Sequence, residues 1–353
     1  MQTIINILVF IIIFGSIILI HELGHLLVAK FFGVYCPKYS IGFGPVLFHK
    51  QIGETDYELR CIPFGGFVMM AGEGDETYED QVSEDRLLTN KKTYQKICIY
   101  LAGVASNFIT AIIVMLIVFC NTSIVPIESN KIGDFTDNSI LKESGLEVND
   151  LLESIYVSEN NQTYSIDSIL NLNLNKESIG TYDKIHITVT YLHDDSEYTK
   201  NCIVEYNEDE DKYLLGIYPE TTKPTFFKAI QYTFEEFTYL ATVIVSSFIS
   251  LFTNFFTNVK QFTGPAGIYQ QTATLTASGD TPTLFYFWSL LCINIGVFNL
   301  FPIPGLDGYQ VLVALIEKVI HKEISPTIKQ YLSLIGMTFV IMLMVIITLQ
   351  DLF

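Results

Sequence analysis

Basic residues are scarce in this chain. Only 20 of its 353 residues are lysine or arginine, whereas 38 are aspartate or glutamate, and the formal net charge is −18. Because phosphate backbones are bound chiefly through basic side chains, this balance excludes a general nucleic-acid binder. Charged residues of either sign form 16% of the chain, against about 25% in soluble domains. Half of the residues are hydrophobic and the mean hydropathy is +0.37, so one ordinary soluble domain is excluded as well.

Two further signals are missing. None of the six cysteines belongs to a C-x-x-C pair, so no cysteine zinc site is expected. Only Cys202 falls within the acidic segment 121–223, so we expect no disulfide framework there. The first apolar stretch has neither a basic start nor a small-residue cleavage site, so it is not expected to be a removable signal peptide.

Apolar residues and charge lie in different segments. Segment 121–223 holds 20 acids and 7 bases, which accounts for −13 of the net charge. Four stretches meet or approach the roughly 20 apolar residues needed to span a bilayer: 4–29, 97–120, 284–302 and 331–349. A fifth stretch, 237–256, contains Thr, Ser and Asn and is expected to lie in the membrane interface. The sequence thus predicts a membrane protein with an acidic aqueous part.

The lysines next to the predicted spans set the orientation. They follow the first span, precede the second, and lie between the third and fourth: Lys30, Lys38, Lys91, Lys92, Lys96, Lys318, Lys322 and Lys329. Loops rich in lysine and arginine stay in the cytoplasm. Segment 121–223 and both chain termini are therefore predicted outside.

The first span contains the H-E-x-x-H motif His21-Glu22-Leu23-Gly24-His25. On a helix, residues i and i+4 lie on one face, so both imidazoles can bind one metal ion while Glu22 reaches a water molecule beside it. Ionisable groups within a span are costly and usually functional. The alternative is a polar patch that satisfies itself between packed helices.

A third ligand is predicted at Asp307, within the segment NLFPIPGLDG at 299–308. Pro302, Pro304 and Gly305 prevent a regular helix there. Broken backbone at membrane depth is tolerated only where it is buried or lines a watery cavity. The alternative is a turn that ends a helix and is capped by the aspartate. A metal site also requires Asp307 to lie at the depth of the histidines, so stretch 237–256 should not cross the membrane.

Together these motifs resemble the site-2 protease family of intramembrane zinc metalloproteases, particularly its RseP-type branch with one PDZ domain. Further segments in family order are PFGGFV at 63–68, Ala102-Gly103 with Asn107, and GPAGI at 264–268. The resemblance implies one Zn²⁺ held by His21, His25 and Asp307, with Glu22 as the catalytic acid and base. Where many relatives read L-D-G-G-H, this chain reads LDGYQ at 306–310.

The resemblance also predicts how substrate is held. The glycine-rich, apolar segment 39–70 is expected to form β-hairpins that dip towards the membrane, like the membrane-associated β-loop of the family. A protease that cuts a transmembrane helix must first extend it, and strand addition would hold the extended segment. The residues assigned to substrate binding are Asn299, Gly65, Gly66 and Phe67. A plain cytoplasmic hairpin is the alternative.

Segment 121–223 is expected to form a small α+β domain. Alternating apolar residues at 185–191 and 202–206 predict strands, and residues 139–152 resemble the PDZ pattern of a helix followed by G-L-x-x-G-D-x-I. Asn149 replaces the usual glycine of that pattern. The acidic stretch 73–85 is expected to be a solvated loop.

The predicted architecture is a multi-pass α-helical membrane protein of about four spans, with a membrane-associated β-loop and an inserted extracytoplasmic PDZ-like domain. Its predicted segments are the first span with HELGH at 1–30, a cytoplasmic β-hairpin loop at 31–96, the second span at 97–120, the PDZ-like domain at 121–223, an interfacial helix and GPAGI loop at 224–283, the third span at 284–308, a cytoplasmic loop at 309–330 and the fourth span at 331–353.

The predicted function is zinc-dependent endoproteolysis of single-span membrane proteins, such as anti-sigma factors or signal-peptide remnants. The enzyme is expected in the bacterial plasma membrane, in contact with lipid, with its site towards the cytoplasm and no nucleic-acid partner. Two alternatives stay open at this stage: a catalytically silent membrane scaffold with a PDZ domain, and a metal transporter that uses the intramembrane histidines.

Overall fold

The computed structural model describes residues 2–73, 82–208, 211–253 and 262–352. The chain divides into two compact units, Met1–Val118 together with Ile230–Phe353, and Phe119–Ala229. Residues 74–81, which form most of the predicted acidic loop, lie outside the described part of the chain.

The first unit begins with helix α1 (Gln2–Phe31), which contains no proline and a nearly unbroken apolar run before His21. A 30-residue helix is about 45 Å long, more than the ~30 Å hydrocarbon core of a bilayer. Strands β1 (Lys38–Ile52) and β2 (Thr55–Met69) follow as an antiparallel hairpin. Helix α2 (Thr93–Asn121) returns along α1.

The hairpin is bent rather than a simple ladder. Residues 38–41 of β1 pair with 56–59 of β2 on one side and with 66–69 of β2 on the other. Segment 66–69 is therefore an outer edge, which pairs only with β1 among the described residues. Farther out, Phe43, Val46, Leu47 and Phe48 are exposed. An apolar surface of this kind is typical of a segment that contacts lipid or a partner, and contact of this hairpin with the membrane stays a prediction.

The second unit is rich in β-strands. Its elements are β3 (Val125–Pro126), β4 (Ile132–Phe135), α3 (Ile140–Glu143), β5 (Leu151–Val157), β6 (Gln162–Ser165), α4 (Lys176–Ile179), β7 (Lys184–His193), β8 (Ser196–Asn207), β9 (Lys212–Tyr213), β10 (Ile217–Pro219) and β11 (Thr221–Thr222). Five strands form a sheet in the order β6-β5-β7-β8-β9, while β10 pairs with β4 and β11 with β3. The strands predicted at 185–191 and 202–206 are confirmed as β7 and part of β8.

The core of this unit follows from that alternation. Ile185, Ile187 and Val189 point to one side of β7 and are fully buried, together with Leu152 and Ile155 of β5. A strand with one buried and one solvated face gives this pattern. The acidic residues of the segment can thus remain on the surface of a well-packed β-structure.

The chain returns to the first unit through α5 (Phe226–Thr253) and continues with α6 (Pro265–Ser278), α7 (Thr281–Leu300), α8 (Asp307–Ile320) and α9 (Pro326–Leu352). The helix of the third predicted span ends at Leu300, and Pro302 and Pro304 follow it, where the sequence predicts a break. Beyond this break the structure differs from expectation. Residues 309–320 are helical rather than part of a loop, since no proline or glycine follows Gly308 before Ile320.

Within the described part of the chain, five helical segments are long and apolar enough to cross a membrane: Gln2–Phe31, Thr93–Asn121, Phe226–Leu251, Thr281–Leu300 and Thr327–Asp351. With the β-rich unit, they confirm a multi-pass helical membrane protein that carries a β-domain. Four of them cover the four predicted spans. The fifth covers much of stretch 237–256, whose residues 254–256 lie outside the described part, so the number of crossings stays a prediction.

Candidate active site

Helix α1 presents His21 and His25 one turn apart on the side that faces α2. Both histidines are buried, and the close approach of the two helices depends on glycine. A Cβ added to Gly24 would collide with Ser106 Oγ, and a Cβ added to Gly103 would collide with His25 Nε2 and lie 2.8 Å from His21 Nε2. The imidazoles therefore occupy the space that a side chain at position 103 would fill.

Asp307 reaches the histidines because the chain bends sharply between α7 and α8. Residues 301–306 are not helical, and Gly305 has a φ of +101°, which favours glycine. Helix α8 begins at Asp307, and a Cβ on the next residue, Gly308, would collide with the Leu300 carbonyl oxygen. The tight turn thus brings the first residue of α8 back against the end of α7.

Three potential ligand atoms converge at this point. His21 Nε2 lies 3.1 Å from Asp307 Oδ2, His25 Nε2 lies 3.3 Å from the same oxygen, and the two Nε2 atoms are 3.3 Å apart. Ligands held at about 2.0–2.1 Å by a tetrahedral zinc ion are about 3.3 Å from one another. The separations of these three atoms therefore fit such a site.

The chemistry of the donor set fits as well. Asp307 Oδ2 is buried and, apart from the two imidazole Nε2 atoms at 3.1 and 3.3 Å, has no hydrogen-bond partner among the described residues. If both Nε2 atoms are unprotonated ligands, this buried carboxylate oxygen is costly without a cation. His25 Nδ1 lies 2.8 Å from the Ile99 carbonyl oxygen, so this nitrogen donates its proton there and leaves Nε2 free as a ligand. Among the described residues, His21, His25 and Asp307 form the only such group.

These residues open onto a cavity of about 250 Å³. Its lining includes Glu22, the two histidines and Asp307, and from elsewhere in the chain Gly66, Phe67, Val68, Met70, Glu73, Tyr100, Asn299, Gly305, Leu306 and Gln310. Three of the four residues assigned to substrate binding, Gly66, Phe67 and Asn299, lie here. Gly65 is not part of the lining, and a Cβ at that position would meet the ring of Phe43.

The edge segment of β2 lies directly beside Glu22. A Cβ placed on Gly66 would lie 3.2 Å from Glu22 Cγ and 2.8 Å from the Ser40 carbonyl oxygen. The backbone at Gly66 thus approaches Glu22 more closely than a larger residue would allow. Extended backbone, the predicted acid and base, and the metal-binding group therefore line one cavity.

Sequence reasoning missed several lining residues. Gln310 follows Asp307 by three positions and so shares its helix face, a spacing that could have pointed to it. Glu73 was assigned to a solvated loop, although it follows the PFGGFV strand by only a few residues. Tyr100 faces the cavity because of how α2 is rotated against α1, and the sequence offers no signal for that rotation.

Comparison with known proteins assigns the chain to a family, since the model of peptidase family M50 matches residues 9–343. The chain belongs to peptidase family M50. A Clostridium perfringens protein named as a zinc metalloprotease is 32% identical over 96% of each chain. The regulator of sigma-W protease RasP of Bacillus subtilis is 28% identical over 98% of each chain.

Membership of family M50 confirms the resemblance to site-2 proteases of the RseP type. The chain is a metalloendopeptidase of a zinc-dependent intramembrane family, and its cofactor is Zn²⁺. The enzymatic prediction is thus confirmed against the scaffold and transporter alternatives. The five apolar helices and these membrane-protease relatives agree on a multi-pass membrane protein.

Proposed function

We propose that this M50 protease cleaves the transmembrane segments of single-span membrane proteins, with His21, His25 and Asp307 as zinc ligands and Glu22 as the catalytic acid and base. The observation that carries the proposal is the convergence of two Nε2 atoms and one carboxylate oxygen, 3.1–3.3 Å apart, in the cavity that Glu22 also lines. No other side-chain group of this kind occurs among the described residues.

The proposed chemistry follows from these positions. Zinc, when bound, supplies Lewis acidity that polarises the scissile carbonyl group and acidifies water. Glu22 accepts the proton of the attacking water and later donates it to the leaving amine. Burial of both histidines keeps bulk water away from the ligand atoms, so the charges that develop during the reaction are stabilised in a medium of low polarity.

Segment 66–69 is the proposed docking edge for substrate. It pairs with β1 on one side only, within the described residues, and Gly66, Phe67 and Val68 line the catalytic cavity. A substrate unfolded from its helix can add as a further strand to this edge, which satisfies its freed amide and carbonyl groups. Gly66 leaves room for that strand to pass close to Glu22. Asn299, which also lines the cavity, is the proposed polar contact for the substrate backbone.

The substrates we propose are single-span proteins whose outer part has already been shortened, such as anti-sigma factors or remnants of signal peptides. The relative named as a regulator of sigma-W protease supports the first class. Unit Phe119–Ala229 is the proposed PDZ-like domain, located outside the cell membrane. Its sheet, its two short helices and a groove of about 790 Å³ beside β10 support that assignment.

Replacement of Glu22 by Gln tests the catalytic assignment. The purified variant should retain one zinc ion per chain, because the substitution leaves all three ligands in place. Cleavage of a synthetic transmembrane peptide should fall by about 10²–10⁴-fold, the usual contribution of a general acid or base. Zinc content is measured by atomic emission and cleavage by mass spectrometry.

Glu84→Gln is the matched control, because Glu84 is exposed and lies outside the cavity lining. It should cleave at the wild-type rate. Undiminished cleavage by the Glu22→Gln variant would refute the assigned role, whereas loss of zinc from that variant would show that Glu22 holds the metal instead.

A further inference from the structure

One buried amide next to the metal-binding group has an unusual environment. Asn107 of α2 is completely buried, and its Nδ2 atom lies 3.4 Å from His21 Nδ1. Its Oδ1 atom is buried and has no hydrogen-bond partner among the described residues. An unpaired buried carbonyl oxygen is costly, so the side chain needs a different account from simple packing.

The protonation of His21 supplies that account. Its Nε2 atom faces Asp307 Oδ2 at 3.1 Å and His25 Nε2 at 3.3 Å, which makes Nε2 the ligand atom. A neutral imidazole that binds metal through Nε2 carries its only proton on Nδ1. In the orientation described above, this Nδ1–H would face the N–H group of Asn107, so two donors would meet.

A half-turn of the Asn107 amide removes this conflict. The two orientations of an amide have nearly the same shape, and the hydrogen-bond network decides between them. We propose that Asn107 Oδ1 faces His21 and accepts a hydrogen bond from His21 Nδ1–H, which holds that imidazole in the tautomer and rotation that bind zinc. Asn107 is thus a positioning residue that acts through His21, and this inference rests on the proposed ligand role of His21.

The spacing along α2 supports this role. Ile99, Gly103 and Asn107 follow one another at intervals of one helical turn on the face towards α1. The Ile99 carbonyl oxygen accepts from His25 Nδ1 at 2.8 Å, Gly103 leaves room for both rings, and Asn107 lies against His21. Each histidine therefore has an acceptor of its own on α2: a backbone carbonyl for His25 and the Asn107 side chain for His21. Only the second can be removed by mutation without breaking the helix.

Two substitutions in the full-length protein distinguish the orientations. Asn107→Leu keeps the number and branching of the side-chain heavy atoms but removes the acceptor, and we expect its zinc affinity to fall 10- to 100-fold, as is usual for the loss of a group that orients a metal ligand. Asn107→Asp offers an oxygen acceptor whichever way it turns, so its affinity should stay within a few-fold of wild type. Affinity is measured by competition with a chromogenic chelator in detergent micelles.

Met115→Ala is the control for disturbed packing of α2, because Met115 is also fully buried in α2 but does not line the site. It should unfold at a lower temperature and bind zinc normally. Equal losses in the Asn107→Leu and Asn107→Asp variants would overturn the proposal, because they would mean that an N–H donor is needed. Unchanged affinity in the Asn107→Leu variant would overturn it as well.

A second measurement does not depend on the folding of a variant with a buried acid. In wild-type protein labelled with ¹⁵N-histidine, the His21 signals, assigned by their loss in a His21→Gln variant, should report a protonated Nδ1 with a hydrogen-bonded proton. An unprotonated Nδ1 would contradict the inference. If the proposed zinc ligands were wrong, the result would be different, because the Asp307→Asn variant would then bind zinc as tightly as the wild type.

Discussion

At the level of single residues, two glycines set the distance between α1 and α2. Gly24 lies against Ser106 and the Ala102 carbonyl oxygen, and Gly103 lies against both imidazole rings. In a membrane, close helix contact depends on such small residues, because lipid provides no hydrophobic force to press helices together. The glycine inside H-E-x-x-H thus has a packing role in addition to spacing the two ligands.

Replacement of Gly103 by Ala tests this packing. The added methyl group would overlap His25 Nε2 and lie 2.8 Å from His21 Cε1, so the rings must move or the helices must separate. Overpacking of this kind costs about 1–3 kcal/mol, and we expect zinc affinity to fall by about 5- to 150-fold, since about 1.4 kcal/mol corresponds to tenfold. Chelator competition measures the loss.

Gly15→Ala serves as the comparison for that variant. Gly15 also lies within a membrane helix, but no atom approaches within 4 Å of an added Cβ. The substitution should leave zinc affinity unchanged and slightly favour the helix. If both variants bind zinc like the wild type, the space at position 103 is not needed for the ligands.

The sequence predicts the metal-binding group more fully than the α2 residues that surround it. His21, Glu22 and His25 are close in the chain, so one helical turn decides their geometry. Asp307 could be predicted because prolines and glycines mark a break in an apolar run. Gly103, Asn107 and Tyr100 gain their roles from the rotation of α2 against α1, and that rotation depends on packing across the whole helix pair rather than on any local pattern.

At the level of elements, contacts within the first unit determine the directions of the helices. Trp288 Nε1 of α7 donates a hydrogen bond to Ser16 Oγ of α1 at 3.0 Å. Asp307 follows the end of α7 and lies against His21 and His25, which follow Ser16 in α1. Helix α7 therefore runs in the same direction as α1. Because α2 runs the opposite way, the chain must return once more before α7 begins.

The contacts of helices α5 and α6 fit such a return, and the absence of a net crossing stays a prediction. Glu236 of α5 lies beside Tyr286 near the start of α7, and Phe248 stacks on Phe301 just beyond its end, so α5 runs parallel to α7. Helix α6 then leads back, since its Tyr269 ring lies 5.6 Å from that of Phe10 near the start of α1. A re-entrant pair of this kind supports four spans, although the composition of α5 alone permits a fifth.

The start of α6 is tied to the end of α9 by one carboxylate. Asp351 Oδ2 accepts a hydrogen bond from the Gly267 backbone N–H at 2.9 Å and lies close to Gly264. Because the first N–H groups of a helix lack internal partners, Asp351→Leu should lower the free energy of unfolding by about 0.5–2 kcal/mol, the range for a lost helix cap.

Thermal unfolding in nanodiscs measures this effect, with Leu349→Ala as the comparison, because Leu349 is exposed on the same turn of α9. Asp351→Asn, which keeps an oxygen acceptor, should recover part of the loss. Equal unfolding temperatures for the wild type and the Asp351→Leu variant would mean that the contact does not tie α6 to α9.

At the level of the whole molecule, the net charge of −18 and the mean hydropathy of +0.37 belong to different units. The acidic residues of segment 121–223 surround a β-rich core, whereas the membrane unit keeps few ionisable groups and assembles three of them at one point. The sequence predicted this division, because charge and apolarity separate along the chain. Length and composition describe α5 equally well as a span and as a re-entrant helix, so the prediction of about four crossings depended on the depth that a metal site requires of Asp307.

The number of crossings is decided by the location of the two chain termini. Four crossings place the N- and C-termini on the same side as the acidic unit, whereas five would put the C-terminus in the cytoplasm. We therefore expect epitope tags at both termini, in spheroplasts that retain full cleavage activity, to be digested by externally added protease. A tag inserted after Gly53, at the tip of the β1–β2 hairpin, should be protected until the membrane is permeabilised.

A protected C-terminal tag beside a digested N-terminal tag would mean that α5 crosses the membrane. It would then contradict the parallel directions of α1 and α7 that bring Asp307 to the histidines.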